Sequence, residues 1–259
     1  MSLTSEANRT HLVIIPSFNT GPRLLSTVRK ALTFWKPIWV IIDGSTDQSA
    51  QQLRQFEQSV SGLKVFALEN NQGKGAAVLY GMRAALAQGF RYALVMDADG
   101  QHPAERIPEF MALSNKNPQA LVLGLPEFGA EAPRNRVHGH RIANFWTNVE
   151  TLWGGIGDSL FGFRVYPISE SIRSLEQTRR GRHFDFDTQL AVQLFWRGFQ
   201  PINVRVPVRY FNLDDGGVSH FKYLRDNLLL IRAHAVLLAQ MPWRMLHRPK
   251  IGRPYGSKG

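Results

Sequence analysis

Cysteine is absent from the 259 residues, which excludes a disulfide framework and thiolate metal sites and suits a reducing cytoplasm. Long apolar runs are missing as well. A bilayer-spanning helix needs about 20 consecutive apolar residues, and runs such as residues 228–231 are far shorter. Residues 1–10 are polar and lack the apolar segment of a secretory signal, so we expect no signal peptide. We therefore predict a cytoplasmic protein that is not integral to a membrane.

Two common nucleotide-binding motifs do not occur. The glycine-rich stretch 73–77 lacks the Ser or Thr that follows Gly-Lys in a Walker A loop, and its spacing is not Gly-x-Gly-x-x-Gly. No glycine-rich phosphate loop lies between Ile15 and Leu25, where a nucleotidyltransferase would be expected to carry one. If the protein binds nucleotides, it uses other contacts.

Acidic residues are outnumbered, with 20 Asp or Glu against 31 Lys or Arg and a net charge of +11. Residues 222–259 hold eight of the basic residues and one Asp, a net charge of +7, which leaves +4 for residues 1–221. Such asymmetry predicts an anionic partner surface, either nucleic acid or lipid headgroups. No recognised nucleic-acid-binding motif accompanies the basic segment. A nucleic-acid-binding module is therefore the less favoured alternative, and we expect no nucleic-acid partner.

Short apolar runs alternate with helical patterns through the first half of the chain. Strands are predicted at residues 11–15, 38–42, 63–68 and 92–96, and a helical segment follows each of them. This rhythm predicts an α/β fold in which helices flank a mostly parallel, Rossmann-like sheet. Ligands of such sheets bind beyond the carboxyl ends of the strands.

Polar or aromatic side chains follow all four of these strands. Phe18 comes after the first, Asp43 ends the second, Lys74 follows the third, and Asp97 and Asp99 follow the fourth. Because the carboxyl ends of parallel strands meet at one edge of the sheet, these side chains are predicted to share a site.

Asp97 and Asp99 are spaced i, i+2, so on an extended backbone their side chains project to the same side. Two converging carboxylates favour Mg²⁺ or Mn²⁺, which usually keep some waters and share other positions with substrate phosphates. Gly100 allows the backbone to turn sharply after them. The alternative interpretation is an acidic turn without a metal.

The whole string 97–103, Asp-Ala-Asp-Gly-Gln-His-Pro, resembles the Asp-x-Asp motif of family 2 glycosyltransferases with the GT-A fold. It is similar to the string of the dolichol-phosphate mannose synthase branch, and the resemblance runs from about residue 11 to about residue 221. It implies a nucleotide-sugar donor, a divalent metal and the transfer of one sugar to an acceptor. It also implies that Asp97, Asp99 and Gln101 bind the metal, and that Asp97 and Ala98 contact the donor.

The same resemblance implies further donor contacts. Pro16 and Phe18 match a Pro-x-Tyr-Asn start, with Phe in place of Tyr, and Asp43 matches an Asp that hydrogen-bonds the nucleobase. Lys74 matches a lysine near the nucleotide, and His220 takes the place of a Lys or Arg that touches the diphosphate. Structural alternatives remain, namely a helix cap for Asp43, a solvated lysine and a structural histidine.

Two residues in the second half complete the predicted site. Asp187, in a segment that resembles Phe-Asp-Thr-Glu with Gln189 in place of Glu, falls near the catalytic base of inverting members. Helix capping is the alternative, and a phosphate acceptor would need no base. Arg164 matches the Arg of a Ser-Gly-Phe-Arg strand and is expected to meet acceptor or phosphate, or else to form an ion pair with a neighbouring acid.

The C-terminal segment is predicted to form an amphipathic helix over residues 222–240, which Pro242 ends. Its basic side is opposite an apolar side of Leu224, Leu228, Ile231, Ala235 and Leu238. With Trp243 beside it, such a helix suits a membrane interface. Alternatively, the apolar side packs on the catalytic domain.

Together these patterns predict a GT-A catalytic domain at residues 1–221 and a basic amphipathic helix and tail at residues 222–259. The expected activity is a metal-dependent, inverting transfer from a nucleotide sugar to a lipid or amphiphilic acceptor. The protein would bind peripherally to the inner face of the cytoplasmic membrane. A polyprenyl-phosphate sugar synthase is the nearest alternative, and residues 206–227 also resemble glycosyltransferases of bacterial aryl-polyene or related pigment-lipid pathways.

Overall fold

The computed structural model describes residues 9–129, 131–178, 183, 185–208 and 223–247. His220, which is predicted to contact the diphosphate, lies outside the described residues, as do residues 248–259 of the basic tail.

Within the described residues, seven strands form one sheet. Their bounds are β1 His11–Ser17, β2 Ile38–Asp43, β3 Leu63–Leu68, β4 Tyr92–Val95, β5 Ala120–Glu127, β6 Arg164–Pro167 and β7 Gln200–Pro207. Eight α-helices are described: α1 Arg23–Phe34, α2 Ser49–Ser59, α3 Lys74–Ala87, α4 Ile107–Lys116, α5 Arg134–Glu150, α6 Ile168–Thr178, α7 Phe186–Trp196 and α8 Tyr223–Leu246. A short 3₁₀ turn, Ala104–Arg106, precedes α4.

The strand order is β3-β2-β1-β4-β6-β5-β7. All neighbouring strands run parallel except β6, which is antiparallel to both β4 and β5. The predicted α/β fold with a mostly parallel sheet is therefore confirmed. Because β6 runs the other way, its first residue, Arg164, lies beside the last residue of β4, Val95. The loop before β6 thus reaches the same sheet edge as the carboxyl ends of β1, β2 and β4.

Alternate side chains of the strands face two separate cores. Val13 and Ile15 of β1 pack in one core with α1 and α4, whereas Leu12 and Ile14 pack in the other with α3 and α7. Successive side chains of a strand point to opposite faces of the sheet, and all residues of β1 are buried. Helices must therefore cover both faces of the sheet. Helix α7 is buried along its whole length because α5, α6 and α8 all pack against it.

Helix α8 packs on the domain through a different side from the one predicted. Leu230, Ala233 and Leu237 are buried, whereas Leu228 and Ile231 are 65% and 66% exposed. The alternative that the predicted apolar side packs on the domain is therefore wrong, because a second apolar row on another side of the helix does the packing. A buried contact of 2.7 Å between His234 Nδ1 and the Glu150 carboxylate also joins α8 to α5.

The prediction that Pro242 ends the helix is wrong as well, since α8 continues to Leu246. Proline removes one hydrogen bond and strains the preceding turn, but packing can outweigh this cost near a helix end. Met241 and Met245, on either side of Pro242, both pack against the second core. None of the helices in the described part of the chain has the length and hydrophobicity needed to cross a bilayer.

Candidate active site

The end of β2 is fastened to the loop that precedes α3. The buried Asp43 carboxylate accepts hydrogen bonds from the backbone N–H groups of Gln72, at 2.9 Å, and Gly73, at 2.7 Å. Burial raises the pKa of Asp43, although these two N–H donors counteract part of the rise. Asp43 therefore sets the position at which Lys74 begins α3.

The loop after β1 is tied to the loop after β2 by Asn19. Its side-chain oxygen accepts from the backbone N–H of Thr46 at 2.8 Å, and its own N–H donates to Ser45 Oγ at 3.0 Å. Gly44, the first residue after β2, has φ +64°. A Cβ at this position would lie 2.3 Å from the backbone nitrogen of Asn71. Only glycine allows so close an approach. Pro16 is buried in β1 and Phe18 is half-buried at this edge.

The loop after β4 is shaped by its own side chains. His102 Nδ1 accepts from the Asp97 N–H at 2.9 Å, and the Asp99 carboxylate accepts from the Gln101 N–H at 2.9 Å. The Ala98 carbonyl accepts from the Thr27 hydroxyl at 3.0 Å. Burial lowers the pKa of His102, despite the nearby Asp97 and Asp99. A neutral His102 with its proton on Nε2 fits this geometry, because Nδ1 is the acceptor.

Lys74 lies between two carboxylates from distant parts of the chain. Its Nζ is 2.7 Å from Asp97 Oδ1 and 2.7 Å from Asp187 Oδ2. Burial alone would lower the pKa of Lys74, but the two carboxylates outweigh it and raise that pKa. Burial likewise opposes ionisation of Asp97, yet the adjacent Lys74 holds the pKa of Asp97 well below its usual range. We call Lys74, Asp97, Asp99 and Asp187 the carboxylate cluster.

Gly162 makes room for this arrangement. A Cβ at position 162 would lie 2.6 Å from Lys74 Nζ and 3.1 Å from Asp97 Oδ2. Any larger residue would therefore displace the lysine from between its two partners.

The Asp187 carboxylate is 3% exposed, and both of its oxygens are engaged. Oδ2 contacts Lys74, and Oδ1 accepts from the Tyr166 hydroxyl at 3.0 Å. Burial raises the pKa of Tyr166, so this residue stays a neutral donor. Asp187 is thus joined through Lys74 to the predicted metal ligand Asp97, and both of its carboxylate oxygens already have partners.

Arg164 is fully buried and serves the backbone around it. Its guanidinium donates to the carbonyls of Phe161 at 2.7 Å, Asp187 at 2.7 Å and Asp158 at 3.0 Å. These bonds fix the loop before β6 against the start of α7. With no exposed surface, Arg164 positions other residues in this structure.

Asp158 extends this arrangement to α5. Its carboxylate contacts His140 Nδ1 at 2.7 Å and accepts from the Asn144 amide at 3.0 Å. Burial would raise the pKa of Asp158, but these two partners and Arg164 hold it below its usual range. We call His140, Asn144, Asp158 and Arg164 the bracing network.

The donor set after β4 fits a hard divalent cation. Asp97 and Asp99 supply carboxylate oxygens, and Gln101 supplies an amide oxygen that here accepts from Arg136 Nη1 at 3.3 Å. The pKa of Asp99 is raised by burial and by repulsion from Asp97, a cost that a bound cation would remove. Within the described residues no three His, Cys, Asp or Glu side chains stand together as a metal site. Substrate oxygens or water would have to complete the coordination.

The sequence thus predicts that Lys74, Asp97, Asp99 and Asp187 belong to one site, and in the structure these four residues lie close together. It did not identify Tyr166, although Arg164 and Tyr166 are spaced i, i+2 on a strand and so share a face. It also assigned no role to His102, although this residue lies inside the 97–103 string.

The mostly parallel sheet with the single antiparallel strand β6 belongs to a GT-A fold, as the structures that it resembles indicate. The chain is similar in structure to glucosyl-3-phosphoglycerate synthase of Mycobacterium tuberculosis, solved with Mn²⁺, UDP-glucose and phosphoglyceric acid. The TM-score is 0.64 at 18% identity, over 93% of this chain and 85% of that one. The chain is also similar in structure to TarS 1–349 of S. aureus, solved with UDP-GlcNAc. The TM-score is 0.58 at 15% identity, over 92% of this chain and 69% of that one. At these identities the likeness concerns the fold.

Residues 12–175 match the family described as Glycosyl transferase family 2, and the chain belongs to that family. It is 29% identical over 199 residues to a dolichyl-phosphate beta-glucosyltransferase of Dictyostelium discoideum, covering 69% of this chain and 60% of that protein. It is 24% identical over 195 residues to a UDP-N-acetylglucosamine–dolichyl-phosphate N-acetylglucosaminyltransferase of Methanococcus voltae, covering 69% and 77%. The predicted relation to dolichol-phosphate sugar synthases is confirmed, although the chain spans only about 60% of the Dictyostelium relative.

Proposed function

We propose that this protein transfers a sugar from a nucleotide-sugar donor to a polyprenyl-phosphate acceptor, with a divalent metal at Asp97 and Asp99. The observation that carries the proposal is the pair of carboxylates that follows β4, at the sheet edge where GT-A folds bind donors; the first of them, Asp97, lies 2.7 Å from the half-buried Lys74. Both relatives described above are named for transfer to dolichyl phosphate, which supports the acceptor class.

The donor would lie along the ends of β1, β2 and β4. Phe18 and Asp43 are at the end where the nucleobase is expected, and Lys74 is at the diphosphate end. Asp97, Asp99 and Gln101 would hold the metal, which supplies positive charge to the departing diphosphate. Arg164 has no exposed surface, so in this proposal it positions the loop before β6 instead of touching phosphate. A single displacement at the anomeric carbon would invert its configuration.

A phosphate acceptor makes a general base unnecessary, because its oxygen already carries negative charge at neutral pH. A hydroxyl acceptor would need a base within hydrogen-bond reach. Asp187 is the candidate for that role, but both its oxygens are engaged and its side chain is 3% exposed. This geometry favours the polyprenyl-phosphate acceptor over a hydroxyl acceptor.

We propose that the protein binds peripherally to the cytoplasmic side of a membrane, and the outer face of α8 supports the membrane contact. Leu228, Ile231, Trp243 and Leu246 are all more than half exposed. Arg232 is exposed beside this apolar row. Apolar rows with tryptophan and basic neighbours bind lipid surfaces, where each nearby Lys or Arg contributes about 1 kcal/mol on anionic lipid.

The test is a transfer assay with vesicles that contain polyprenyl phosphate, a panel of nucleotide sugars, and Mn²⁺ or Mg²⁺. We expect release of one nucleoside diphosphate together with labelled sugar in the lipid extract. Vesicles that carry the unphosphorylated polyprenol serve as the matched acceptor, and Asp99→Asn serves as the matched enzyme control. Equal transfer to the polyprenol, or no release from any donor, would contradict the proposal.

A further inference from the structure

Lys74 occupies a position that a metal ion on Asp97 would contest. The Lys74 ammonium nitrogen lies 2.7 Å from Asp97 Oδ1. An oxygen that binds Mg²⁺ lies about 2.0–2.1 Å from the metal. A metal on Asp97 would therefore sit within a few ångströms of the ammonium charge. Two cations so close repel each other strongly in a partly buried site.

Asp187 keeps the lysine in place from the opposite side. The carboxylate is held by the Tyr166 hydroxyl at 3.0 Å, and Tyr166 and Asp187 are both buried. Gly162 packs against Nζ and leaves no room for a side chain there. The Asp187 end of the lysine contact is thus fixed, whereas the Asp97 end, at 34% side-chain exposure, is open.

We propose that Lys74 neutralises Asp97 while no metal is bound, and that it releases Asp97 when the metal and diphosphate bind. Asp187 is then the positioning residue that holds Lys74 in place. The inference rests on the proposed function, because it assumes a metal at Asp97 and Asp99. Once Asp97 turns to the metal, Lys74 remains paired with Asp187 and has donors free for the diphosphate. Asp187 acts here through Lys74 and removes no proton.

The proposal predicts opposite effects of two variants on metal binding. Lys74→Met removes the competing charge, so Mn²⁺ alone should bind tighter. Asp187→Asn keeps a side chain of the same shape but removes the second anion, so Lys74 is left with Asp97 as its ionised partner in the cluster and Mn²⁺ should bind more weakly. Each change should be about fivefold or more, the factor that one charge about 4 Å away produces even at the dielectric constant of water.

Binding measured with a nucleoside diphosphate distinguishes this role of Lys74 from that of a lysine that only contacts phosphate. Lys74→Met should bind the Mn²⁺–nucleoside diphosphate complex more weakly than the wild type, although it binds Mn²⁺ alone more tightly. A lysine that served only the diphosphate would leave the affinity for Mn²⁺ alone unchanged.

The experiment measures free Mn²⁺ by electron paramagnetic resonance during titration of the full chain, with and without a nucleoside diphosphate. Lys116→Met, at the end of α4, is the matched control and should behave as the wild type. Thermal unfolding of each variant with and without Mn²⁺ gives a second readout, in which Mn²⁺ should stabilise Lys74→Met more than the wild type.

The outcomes separate the two proposals. If the wild type binds no Mn²⁺, the proposed function and this inference both fail. If the wild type binds Mn²⁺ but Lys74→Met binds no tighter, or Asp187→Asn binds as well as the wild type, only this inference is overturned. Unchanged Mn²⁺ binding by Asp187→Asn with a large loss of kcat would assign Asp187 the role of general base instead.

Discussion

The carboxylate cluster and the bracing network contain similar chemistry but differ in access. In each, an acidic side chain contacts a basic one, and both meet at Arg164, which donates to the carbonyls of Asp158 and Asp187. The Asp97 side chain is 34% exposed, whereas that of Asp158 is 2% exposed. Buried charge therefore does not by itself mark an active site in this fold. We place the proposed donor site at the carboxylate cluster because that set opens to solvent at a strand end.

The difference follows from how each set is satisfied. Asp158 accepts hydrogen bonds from the backbone N–H groups of Leu160 and Phe161 as well as from Asn144, and it contacts His140. Little acceptor capacity remains for a ligand. Asp99, in contrast, has a raised pKa because burial and, after it, repulsion from Asp97 disfavour its charge. The carboxylate cluster is thus the set that gains most from an added cation.

The largest expected effect is on catalysis. Asp97→Ala or Asp99→Asn should lower turnover about 10²-fold or more, because neutralising the leaving diphosphate is usually a large part of such a transfer. Initial rates of sugar transfer, with circular dichroism to verify folding, measure this. Glu109→Gln, an exposed acid on α4, should leave turnover unchanged. Full activity in either cluster variant, or in excess EDTA, would remove the site assignment.

The bracing network should respond in stability instead. Asp158→Ala leaves His140 and two backbone N–H groups without their acceptor, so the free energy of unfolding should fall by about 3–5 kcal/mol. Urea unfolding followed by fluorescence measures the change.

The matched control here is Glu109→Ala, which breaks only the exposed pair with Arg106 and should cost less than about 1 kcal/mol. A small loss in Asp158→Ala, similar to this control, would show that the two networks do not differ as described.

Acid should distinguish Asp158 further. Its pKa is lowered in the folded state, because His140 and Asn144 outweigh burial. Its contribution to stability is therefore complete above the unfolded pKa of about 3.9 and is lost as the pH falls through the lower folded value. Urea unfolding between pH 5 and pH 3 should show a weaker pH dependence in Asp158→Asn than in the wild type. Parallel curves for the two proteins would contradict this.

The smallest effect on stability is expected at the outer face of α8. Leu228→Ser with Ile231→Ser should change the free energy of unfolding by no more than about 0.5 kcal/mol per residue, because both side chains are exposed. Co-sedimentation with anionic vesicles at low salt should nevertheless fall markedly. Leu86→Ser, at an exposed position of α3, is the matched control. Undiminished vesicle binding by the α8 variant would exclude this face as the membrane contact.

Much of the carboxylate cluster could be predicted from the sequence, because strand ends in a parallel sheet converge. The alternation of strands and helices predicted where Asp43, Lys74 and Asp97 would meet, and the i, i+2 spacing predicted that Asp97 and Asp99 share a side. The family resemblance added Asp187. The contacts of Lys74 with Asp97 and Asp187 confirm that these three residues meet, whereas β4 ends at Val95, so the shared side of Asp97 and Asp99 stays a prediction.

Other features depend on packing between distant segments. The antiparallel direction of β6, which brings Arg164 to the site edge as a buried scaffold, has no local signal in a strand of four residues. Helix α8 carries two apolar rows, and helical periodicity alone could not show which one packs on α5 and α7. Pro242 is a helix breaker by propensity, yet packing of Met241 and Met245 carries the helix past it.

The most direct test of the central claim is binding of nucleoside diphosphates to the wild type and to Asp99→Asn, measured by calorimetry in Mn²⁺ and in EDTA. The wild type should bind at least one nucleoside diphosphate in Mn²⁺, and EDTA or Asp99→Asn should weaken this binding at least about tenfold. Binding that neither EDTA nor the variant weakens would contradict the claim that the carboxylate cluster is the metal and donor site.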